Sequence, residues 1–417
     1  MALVVMKFGG SSVSDAEKIK SVAGRVIKKK KEGNKVVVVV SAPGDMTDDL
    51  ITLAQGVTES PDDREMDMLL ATGEQVSIAL LSMAIKNMGE DSISLTGPQA
   101  GIYADTTYTK ARITKIVPTK VRKELAKNKI VIVAGFQGIN PHDDITTLGR
   151  GGSDLTAVAL AAALGANVCE IYTDVEGVYT TDPRVASEAK KIERISYEEM
   201  LEMAGTGAQV MQARSIEVGK KFKVEIHVRS TFSENQGTMI TSEDKIKTRR
   251  KSMEDVAVTA VTFDKNQVKL SIVDVRDRPG IAAKVFGELA KLGVNVDMII
   301  QSAAREKYND ISFTVARADL KKALVCLEKE KIELRAKDIL VDDKVAKVSI
   351  IGVGMRSHPG IAAKMFNVMA ESGINIEMIS TSEIKISCII KDTEVNKAVN
   401  ELHSAFGLGK TKKKIKR

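Results

Sequence analysis

The chain has 417 residues, of which 43% are hydrophobic and 28% charged, and its formal net charge is +7. This length predicts two to four domains, and the composition is typical of an ordinary soluble globular protein. The chain has no Trp and only 4% aromatic residues, and its positive charge is concentrated in the end KTKKKIKR. These features argue against a surface on which nucleic-acid bases stack, and they indicate a solvated basic end.

Cys169, Cys326 and Cys388 are widely spaced and lie in apolar stretches. An odd number of cysteines in this setting predicts buried, reduced thiols and neither disulfides nor a zinc site. The opening apolar run is too short for a signal peptide, and we expect no stretch long enough to cross a bilayer. The sequence therefore predicts a cytoplasmic protein with neither membrane nor nucleic-acid partners.

Strands and helices alternate from residue 2 to about residue 230. In chain order, the pattern predicts strands at 2–6, 35–40, 92–95, 129–135, 167–173 and 223–229, and helices at 14–31, 64–88 and 154–164. Near-continuous Val and Ile runs between helices indicate a parallel sheet covered on both faces. Such sheets bind ligands at the carboxyl ends of their strands. The motifs KFGGSS, SAPGDMT, AGFQG and TDVEGVYTTDPR each directly follow a predicted strand, so we expect the site there.

The pattern changes around 235–255, where SENQG indicates a turn and the polar, basic KIKTRRKSMEDV is typical of a linker. An internal repeat follows it. The segments 276–302 and 356–382 align over their whole length and are identical at about half of the aligned positions, for example in RDRPGIAAK and RSHPGIAAK. Each copy predicts a strand, a helix opened by Pro-Gly, two more strands and a helix. The strand predicted at 256–263 is left over from this scheme, so the copies need not be simple in-line beads.

Lys7 ends the first predicted strand and is followed by Gly9, Gly10, Ser11 and Ser12. The turn matches neither the P-loop nor the dinucleotide-binding fingerprint. A lone lysine at a strand end is usually solvated. Together with two glycines, whose backbone N–H groups can approach a phosphate, and a helix after the turn, it predicts a phosphate-binding turn.

The stretch TTLGRGGSD leads into an Ala-rich helix that begins near Asp154. Plain N-capping is enough to explain Ser153 and Asp154 taken singly. It leaves Arg150 unexplained, because a guanidinium flanked by glycines at the rim of the sheet suits bidentate capture of a carboxylate.

Two other stretches carry weaker signals. Asp174, Asp182 and Arg184 concentrate charge in a turn-rich loop, for which a solvated surface loop and a binding site are equally good interpretations. Glu74 interrupts a largely apolar helix next to Gly73. Such a glutamate is normally exposed, but here it could face a pocket and bind an ammonium group. Ser41 follows a strand, and Thr47 could simply cap the next helix.

The equipment for acyl-enzyme or acid–base hydrolysis is missing from the sequence. Its four histidines do not adjoin a serine or cysteine in a nucleophile setting, and it contains no HExxH or CxxC motif. Phosphoryl transfer to a carboxylate needs no such groups, because the acceptor oxygen is already ionised at neutral pH. It needs cations and N–H groups that align and neutralise two anions. The lysine, the arginine and the glycine turns described above supply such groups.

Taken in order, KFGGSSV, VVVVVSAPGDMTD, the GE at 73–74, TTLGRGGSD and YTDVEGVYTTDPR resemble the aspartate kinases of the amino-acid kinase family. The repeats resemble the paired ACT domains of that family's regulatory half. The resemblance implies an α/β/α sandwich with a mostly parallel central sheet plus two α+β, βαββαβ-like ACT domains. It divides the chain into a catalytic domain at 1–245, a linker and joining strand at 246–265, ACT domains at 266–340 and 341–406, and a basic tail at 407–417.

The resemblance also implies the reaction and the roles of individual residues. The γ-phosphoryl group of ATP, with Mg²⁺, would pass to the side-chain carboxylate of L-aspartate, giving 4-phospho-L-aspartate on the way to lysine, threonine and methionine. Lys7 would hold the transferring phosphoryl group, Asp154 would organise Lys7, Arg150 would clamp the substrate carboxylate, and Glu74 would bind its ammonium group. The remaining pocket residues would be Ser41, Thr47, Gly151, Gly152 and Ser153. The nucleotide site would comprise Gly9, Gly10, Ser11, Thr173, Asp174, Tyr179, Asp182 and Arg184, together with Lys7.

For the regulatory half, the resemblance implies amino-acid sites between paired ACT units, often between subunits, that bind lysine, threonine or both. The candidates are Asp277, Gly280, Ala282, Asn295 and Gln301 in the first copy, and Asn375, Ile376 and Thr381 in the second. We expect Ile281, Ala283 and Phe286 only to pack the helix on the sheet. We expect a homo-oligomer formed through the ACT domains, and an internal start at Met253 would give a separate regulatory subunit. Gln209, which stands where some members have lysine, would weaken one nucleotide contact.

Two alternatives remain open on the sequence alone. One is a related kinase acting on another acidic amino acid, such as glutamate or acetylglutamate. The other is a non-enzymatic amino-acid sensor with a degenerate kinase half, although the presence of Lys7, Arg150, Asp154 and Asp174 argues against it.

Overall fold

A computed structural model describes residues 2–208, 210–247, 257–303 and 307–409. The described chain divides into two compact units. Unit 1 contains residues 2–178, 191–205 and 210–247, and unit 2 contains residues 179–190, 206–208 and everything described from 257 onward. Gln209, Met253 and residues 410–417 of the basic tail, each the subject of a sequence prediction, lie outside the described residues.

Unit 1 is built on an eight-stranded sheet with a smaller sheet beside it. Its strands are β1 Leu3–Phe8, β2 Lys35–Val40, β3 Ser92–Leu95, β4 Ile102–Ala104, β5 Ile113–Ile116, β6 Ile130–Ala134, β7 Gln137–Ile139, β8 Ile145–Thr147, β9 Val168–Thr173, β10 Arg194–Ser196, β11 Glu225–Ser230 and β12 Thr238–Thr241. Its helices are α1 Ala16–Lys31, α2 Met46–Val57, α3 Asp63–Asn87, α4 Thr119–Ala126, α5 Gly152–Leu164, α6 Tyr197–Gly205, α7 Ala213–Phe222 and α8 Glu243–Lys247. All the strands and helices predicted between residues 2 and 230 are confirmed.

The large sheet has the strand order β10-β12-β11-β9-β1-β2-β6-β3. Its six consecutive strands from β11 to β3 are parallel, as predicted. The five valines of β2 are all buried, because helices cover both faces of a sheet of this kind. Phe8 of β1 stacks on Tyr172 of β9 with their ring centroids 4.7 Å apart, so the two strand ends that carry predicted site residues are packed together.

Two features of unit 1 differ from the sequence predictions. The small sheet β5-β4-β7-β8 was not predicted, because strands of three or four residues are too short to show an alternating pattern. The expectation that the strand at 223–229 closes the series is wrong. Strand β12 follows it and pairs antiparallel with β11.

The expectation that no stretch could cross a bilayer is also wrong by length and composition alone. Helix α3 has 25 residues and is apolar enough to pass such a test, but half of its apolar window is buried inside the protein. It also carries Asp67 and Glu74 in buried positions. These properties are those of a core helix in a globular unit.

Unit 2 contains the repeat. Its strands are β13 Ala260–Arg276, β14 Val296–Gln301, β15 Tyr308–Ala316, β16 Asp338–Ile351, β17 Met378–Thr381 and β18 Lys385–Lys391. Its helices are α9 Ile281–Lys291, α10 Leu320–Leu334, α11 Ile361–Glu371 and α12 Val395–Ala405. The strand–helix–strand–strand–helix order predicted for each copy is confirmed.

One sheet, in the order β14-β15-β13-β16-β18-β17, joins the two copies. The strand predicted at 256–263, which belonged to neither copy, is continuous with the first strand of the first copy. Together they form β13, which has 17 residues. Its first part, 260–264, pairs with 347–351, and its later part, 269–273, pairs with 338–342. Each copy is therefore completed by a strand segment that adjoins the other copy, which confirms that they are not in-line beads.

The ends of this sheet also contact each other through side chains. Met298 of β14 and Met378 of β17 share a small apolar cluster, although these strands lie at opposite ends of the hydrogen-bonding order. Lys347 of β16, only 2% exposed, forms an ion pair with Asp297 of β14. Because a buried lysine without a partner would be costly, this pair fixes how the two copies meet.

The three cysteines are buried and form no disulfide, as predicted. Burial raises the pKa of the Cys388 thiol to about 12. Thiolate chemistry at this position is therefore suppressed at neutral pH.

Candidate active site

The glycine turn after β1 packs against the loop after β2. The N–H of Gly44 donates to the carbonyl oxygen of Gly10 at 3.0 Å. A Cβ on Gly10 would lie 2.7 Å from the carbonyl oxygen of Ala42, so no side chain fits there. The Ser12 hydroxyl lies 2.6 Å from that of Thr231, while Ser11 is exposed. The turn thus has a fixed backbone and one exposed hydroxyl at the carboxyl edge of the sheet.

Lys7 forms an ion pair with Asp154, its Nζ lying 2.7 Å from Oδ1, and the two side chains are 11% and 10% exposed. Lys7 is therefore not the solvated lysine that is usual at a strand end. Asp154 lies in the first turn of α5, whose N-cap is Gly151. Plain N-capping thus does not describe Asp154, whose carboxylate instead fixes the ammonium group where β1 and α5 meet.

Glu74 is 2% exposed, as the pocket interpretation requires. Its Oε1 accepts a hydrogen bond from the Ala42 N–H at 3.0 Å. Burial raises the pKa of its carboxyl group from 4.5 to about 7. A ligand ammonium group would favour the ionised form, so Glu74 is suited to bind a cation at neutral pH. The adjoining Ser41 is held through its carbonyl oxygen, which accepts from the Ser77 hydroxyl at 2.7 Å.

Arg150 lies in the loop just before α5, and its side chain is 89% exposed. Its Nη2 lies 3.1 Å from Oδ1 of Asp48, next to Thr47 in the first turn of α2. Its carbonyl oxygen accepts from Nε2 of Gln212 at 2.7 Å. The backbone is thus held while the guanidinium is engaged only in a surface ion pair worth about 1 kcal/mol or less, which a ligand carboxylate can replace.

The sequence analysis missed the residues that hold this loop. Buried Asp67 accepts hydrogen bonds from the Thr147 hydroxyl and from the Thr109 N–H. Nη1 of Arg214 donates to the Leu148 carbonyl oxygen at 2.9 Å. Asp67 precedes Glu74 by two helical turns on one face of α3, and that spacing is the signal that could have revealed it.

The predicted nucleotide residues fall in both units. Thr173 and Asp174 follow β9 in unit 1, where the Thr173 hydroxyl donates to Oδ1 of Asp174 at 3.0 Å. Tyr179, Asp182 and Arg184 belong to unit 2. There Nη2 of Arg184 lies 2.8 Å from Oδ2 of Asp182, and this hydrogen bond lowers the pKa of the Asp182 carboxyl group.

The effector candidates lie on turns and strand ends of unit 2. Gly280 and Gly360 are the N-caps of α9 and α11 with φ values of 94° and 89°, a conformation that favours glycine. Asp277, Gly280, Ala282, Asn295, Gln301, Asn375 and Thr381 are exposed, and Ile376 is half-buried. The packing roles expected for Ile281 and Phe286 are confirmed by the core cluster, but the one expected for Ala283 is wrong, because Ala283 is exposed.

Chemically, unit 1 offers a desolvated cation, a glycine turn, a buried carboxyl group and an exposed guanidinium at one edge of its sheet. Within the described ranges, no three His, Cys, Asp or Glu side chains form a group that could hold a metal ion. Mg²⁺ characteristically binds through substrate phosphates, waters and one or two carboxylates, and Asp154 and Asp174 fit that more limited role.

Comparison with known proteins places these features in a family. Residues 2–230 match the amino acid kinase family, and residues 270–330 and 348–406 match the ACT domain. An aspartokinase of Mycolicibacterium smegmatis is 51% identical over 98% of this chain and 97% of its own length. The crystal structure of an aspartate kinase from Synechocystis is 44% identical, with a TM-score of 0.54, over 97% of this chain and 70% of that one.

A third relative is similar in fold. E. coli aspartokinase III, crystallised with aspartate and ADP in an R-state, superimposes with a TM-score of 0.80 at 24% identity, over 97% of this chain and 99% of that one.

Proposed function

Since this chain belongs to the amino acid kinase family, as one of its aspartate kinases, we propose that the edge site of unit 1 is where it phosphorylates L-aspartate. The reaction transfers the γ-phosphoryl group of ATP to the side-chain carboxylate and yields 4-phospho-L-aspartate. The ACT pair makes the activity responsive to end-product amino acids. Distinct groups of residues carry out the separate parts of this chemistry.

Lys7 neutralises the charge that moves between the two substrates. A transferring phosphoryl group spreads negative charge over its oxygens, and an ammonium group fixed in a poorly hydrated position stabilises that charge without reorganising. The ion pair with Asp154 supports this role, because it fixes Lys7 before a ligand binds. The backbone N–H group of Gly10 and the Ser11 hydroxyl contact phosphate. The Gly9 N–H donates to the Tyr172 carbonyl oxygen at 3.3 Å, so Gly9 contributes by leaving space for the phosphate beside the backbone.

Aspartate is held at both of its non-reacting groups. Glu74 pairs with the ammonium group and Arg150 exchanges Asp48 for the α-carboxylate. Ser41, Thr47, Gly151, Gly152 and Ser153 line the remainder of the pocket. No general base is required, because the acceptor carboxylate is ionised at neutral pH. Alignment of the two anions therefore carries the catalysis.

The nucleotide site of unit 1 lies at the same carboxyl edge of the sheet, after β9. Thr173 and Asp174 contact ATP in unit 1, and the sequence resemblance extends the assignment to Tyr179, Asp182 and Arg184. Mg²⁺ bound to the phosphates would neutralise part of their charge, with Asp154 or Asp174 as the carboxylate within the protein.

The observation that carries this assignment is the buried Lys7–Asp154 pair at the start of α5. It is tested by trapping the acyl phosphate with hydroxylamine in the presence of aspartate, glutamate or acetylglutamate. We expect aspartate-dependent hydroxamate that is lost in Lys7→Ala. Hydroxamate formed only with glutamate or acetylglutamate would favour a kinase for another acidic amino acid, and none with any substrate would favour a sensor.

The ACT pair is proposed to form a homo-oligomer through its strands β14 and β17. In the described part of unit 2, each of them hydrogen-bonds to one neighbouring strand only. Ile299 and Ile379 occupy equivalent positions in the two copies and are 52% and 41% exposed. An unpaired strand edge with exposed isoleucine is suited to pair with a second copy.

Effector amino acids are proposed to bind next to these edges, through the candidate residues from Asp277 to Thr381 named above. Titrating activity against lysine, threonine and both together will identify the effector and show whether inhibition requires both. A protein that neither amino acid inhibits would contradict the proposed sites. We place this activity in the cytoplasm, where ATP and aspartate are available.

A further inference from the structure

Two loops of unit 2 come from the amino-terminal half of the sequence. Residues 179–190, here called the strap, and residues 206–208 belong to unit 2, whereas the chain on both sides of each belongs to unit 1. The strap contains Tyr179, Asp182 and Arg184, which we assign to the nucleotide site. A role for the strap in catalysis therefore rests on the proposed function.

The strap is closed at its base by hydrogen bonds. In unit 1, the Ile192 N–H donates to the Val178 carbonyl oxygen at 2.8 Å. In unit 2, the Thr180 N–H donates to the Lys190 carbonyl oxygen at 2.9 Å, and the Lys190 N–H donates to the Thr180 hydroxyl at 3.0 Å. The two ends of the strap are thus fixed to each other, and Thr180 lies where they meet.

Thr180 is 7% exposed and is held by two elements of the regulatory pair. Its carbonyl oxygen accepts from the Val261 N–H of β13 at 2.8 Å, and its hydroxyl oxygen lies 2.9 Å from Nε2 of His403 in α12. The hydroxyl accepts from the Lys190 N–H, and its proton can point to Nε2 or to the Leu408 carbonyl oxygen, which lies 3.4 Å away. Which of the two partners donates in the Thr180–His403 contact is therefore set by the imidazole tautomer. Burial lowers the pKa of His403, which favours the neutral ring.

Further contacts hold the rest of the strap and the second loop. Nδ2 of Asn400 in α12 donates to the Val185 carbonyl oxygen at 3.1 Å, and Val185 packs against the core of the second copy. The Thr206 hydroxyl lies 2.7 Å from the Thr262 hydroxyl of β13. The strand segment left over from the repeat thus holds both loops, which gives it a role that the sequence could not supply.

We propose that His403 and Thr180 are positioning residues for phosphoryl transfer, because together they fix the strap and so orient Tyr179 and the Asp182–Arg184 pair for the nucleotide. Neither touches the reacting atoms. The affinity for ATP then depends on the last helix of the second copy, whereas the aspartate pocket, built from unit 1, does not.

The test measures kcat, the KM for ATP, the KM for aspartate and the Kd for a fluorescent ATP analogue in the full-length chain. Thr180→Val removes the hydroxyl and keeps the shape, His403→Leu removes the imidazole that contacts it, and Thr180→Ser retains a hydroxyl. We expect the first two variants to raise the KM and Kd for nucleotide by about three- to tenfold, the equivalent of one neutral hydrogen bond. The KM for aspartate stays unchanged and Thr180→Ser is close to wild type.

The double variant Thr180→Val with His403→Leu is expected to resemble Thr180→Val alone, because that single variant already removes the contact that His403→Leu removes. Ser404→Ala, at an exposed position next to His403 on α12, is the matched control and should leave every parameter unchanged. Should the buried variants unfold, the exposed Asn400→Ala still loosens the strap and should raise the nucleotide KM about twofold.

An unchanged nucleotide KM and Kd in the folded variants would overturn the proposal. An equal rise in both KM values would also overturn it, since that is the signature of a general structural role. The analogue separates this proposal from the proposed function: wild-type protein that binds nucleotide without phosphorylating aspartate refutes the function alone. Wild-type protein that binds no nucleotide refutes both.

Discussion

The site in unit 1 and the effector region in unit 2 differ in how their candidate residues are held. Lys7, Asp154 and Glu74 are almost fully buried and engaged with protein groups before any ligand binds. The effector candidates, such as Asn295 and Asn375, are exposed at the starts of edge strands. These three central candidates of unit 1, unlike its exposed Arg150, thus lie in an environment opposite to that of the effector candidates.

The different tasks of the two regions explain this contrast. Stabilising charge in a transition state requires groups that are already oriented and poorly hydrated. The free energy needed to orient and desolvate them is therefore supplied when the protein folds. A regulatory site has to bind its effector more tightly in one arrangement of the subunits than in another. Side chains on an open edge are suited to this task, because in the oligomer that we propose a second copy would complete the surface in one arrangement and not in the other.

The largest expected effect is that of Lys7→Ala, which removes the cation on which unit 1 is organised. We expect kcat to fall by about 10³-fold, roughly 4 kcal/mol, which is the scale of one preorganised charge-stabilising group. Hydroxamate formation measures it. Lys20→Ala, at an exposed position of α1, is the control and should keep full activity. A fall of less than tenfold would mean that Lys7 is structural and would remove the contrast between the units.

Glu74→Gln tests whether the buried Glu74 carboxylate strengthens aspartate binding while it lowers the stability of the fold. The variant keeps an acceptor for the Ala42 N–H but cannot pair with an ammonium group. We expect the KM for aspartate to rise about 100-fold with little change in the KM for ATP, the equivalent of a buried charge-assisted hydrogen bond.

The same variant should change the pH dependence of stability. In the folded protein, the pKa of Glu74 is raised from 4.5 to about 7, so the folded state binds the proton more tightly than the unfolded state. Wild-type stability therefore falls as pH rises through that window, by roughly 3 kcal/mol in all. Glu74→Gln avoids this loss and should melt higher than wild type at pH 8 but not at pH 4. Equal melting differences at both pH values would show that Glu74 is not strongly perturbed.

Ile299→Lys and Ile379→Lys test the exposed edges of unit 2. A charge on an edge strand opposes pairing with another strand, so we expect dimerisation and inhibition by effector to weaken about tenfold or more. The value of kcat without effector should stay within about twofold of wild type. Light scattering and inhibition curves measure these effects. Val325→Lys, at a 70% exposed position on α10, is the control. Unchanged assembly would place the interface elsewhere.

Gly280→Ala should have the smallest effect. No atom lies within 4 Å of the added Cβ, and the strain comes only from the φ of 94°, which costs about 1–2 kcal/mol for an L-residue. By contrast, an added Cβ in Gly10→Ala of unit 1 would lie 2.7 Å from the Ala42 carbonyl oxygen, and we expect it to lower turnover substantially but by less than Lys7→Ala. Thermal unfolding measures the first and turnover the second. Gly24→Ala, in a helix with open space around it, should stabilise slightly.

Local patterns in the sequence were enough to predict a large part of this protein. The valine run of β2, the alternation of strands and helices and the repeated PGIAA turns depend on residues close together in the chain, so they predicted the parallel sheet and both regulatory copies. The motifs after the strands predicted the carboxyl edge as the site, because parallel strands present those ends together. Short strands such as β7 were missed, because three residues are too few to show an alternating hydrophobic pattern.

The family resemblance implied that Asp154 organises Lys7, but only the tertiary structure shows which of these residues are in contact. The pairing of Lys7 with Asp154, the burial that raises the pKa of Glu74, and the anchoring of Thr180 by His403 join residues far apart in sequence. Such contacts depend on which strands become neighbours and how closely helices approach, and neither property is encoded in a local pattern. The sequence by itself determined the chemical groups and the order in which they occur. Packing determined their partners, their hydration and therefore their charge.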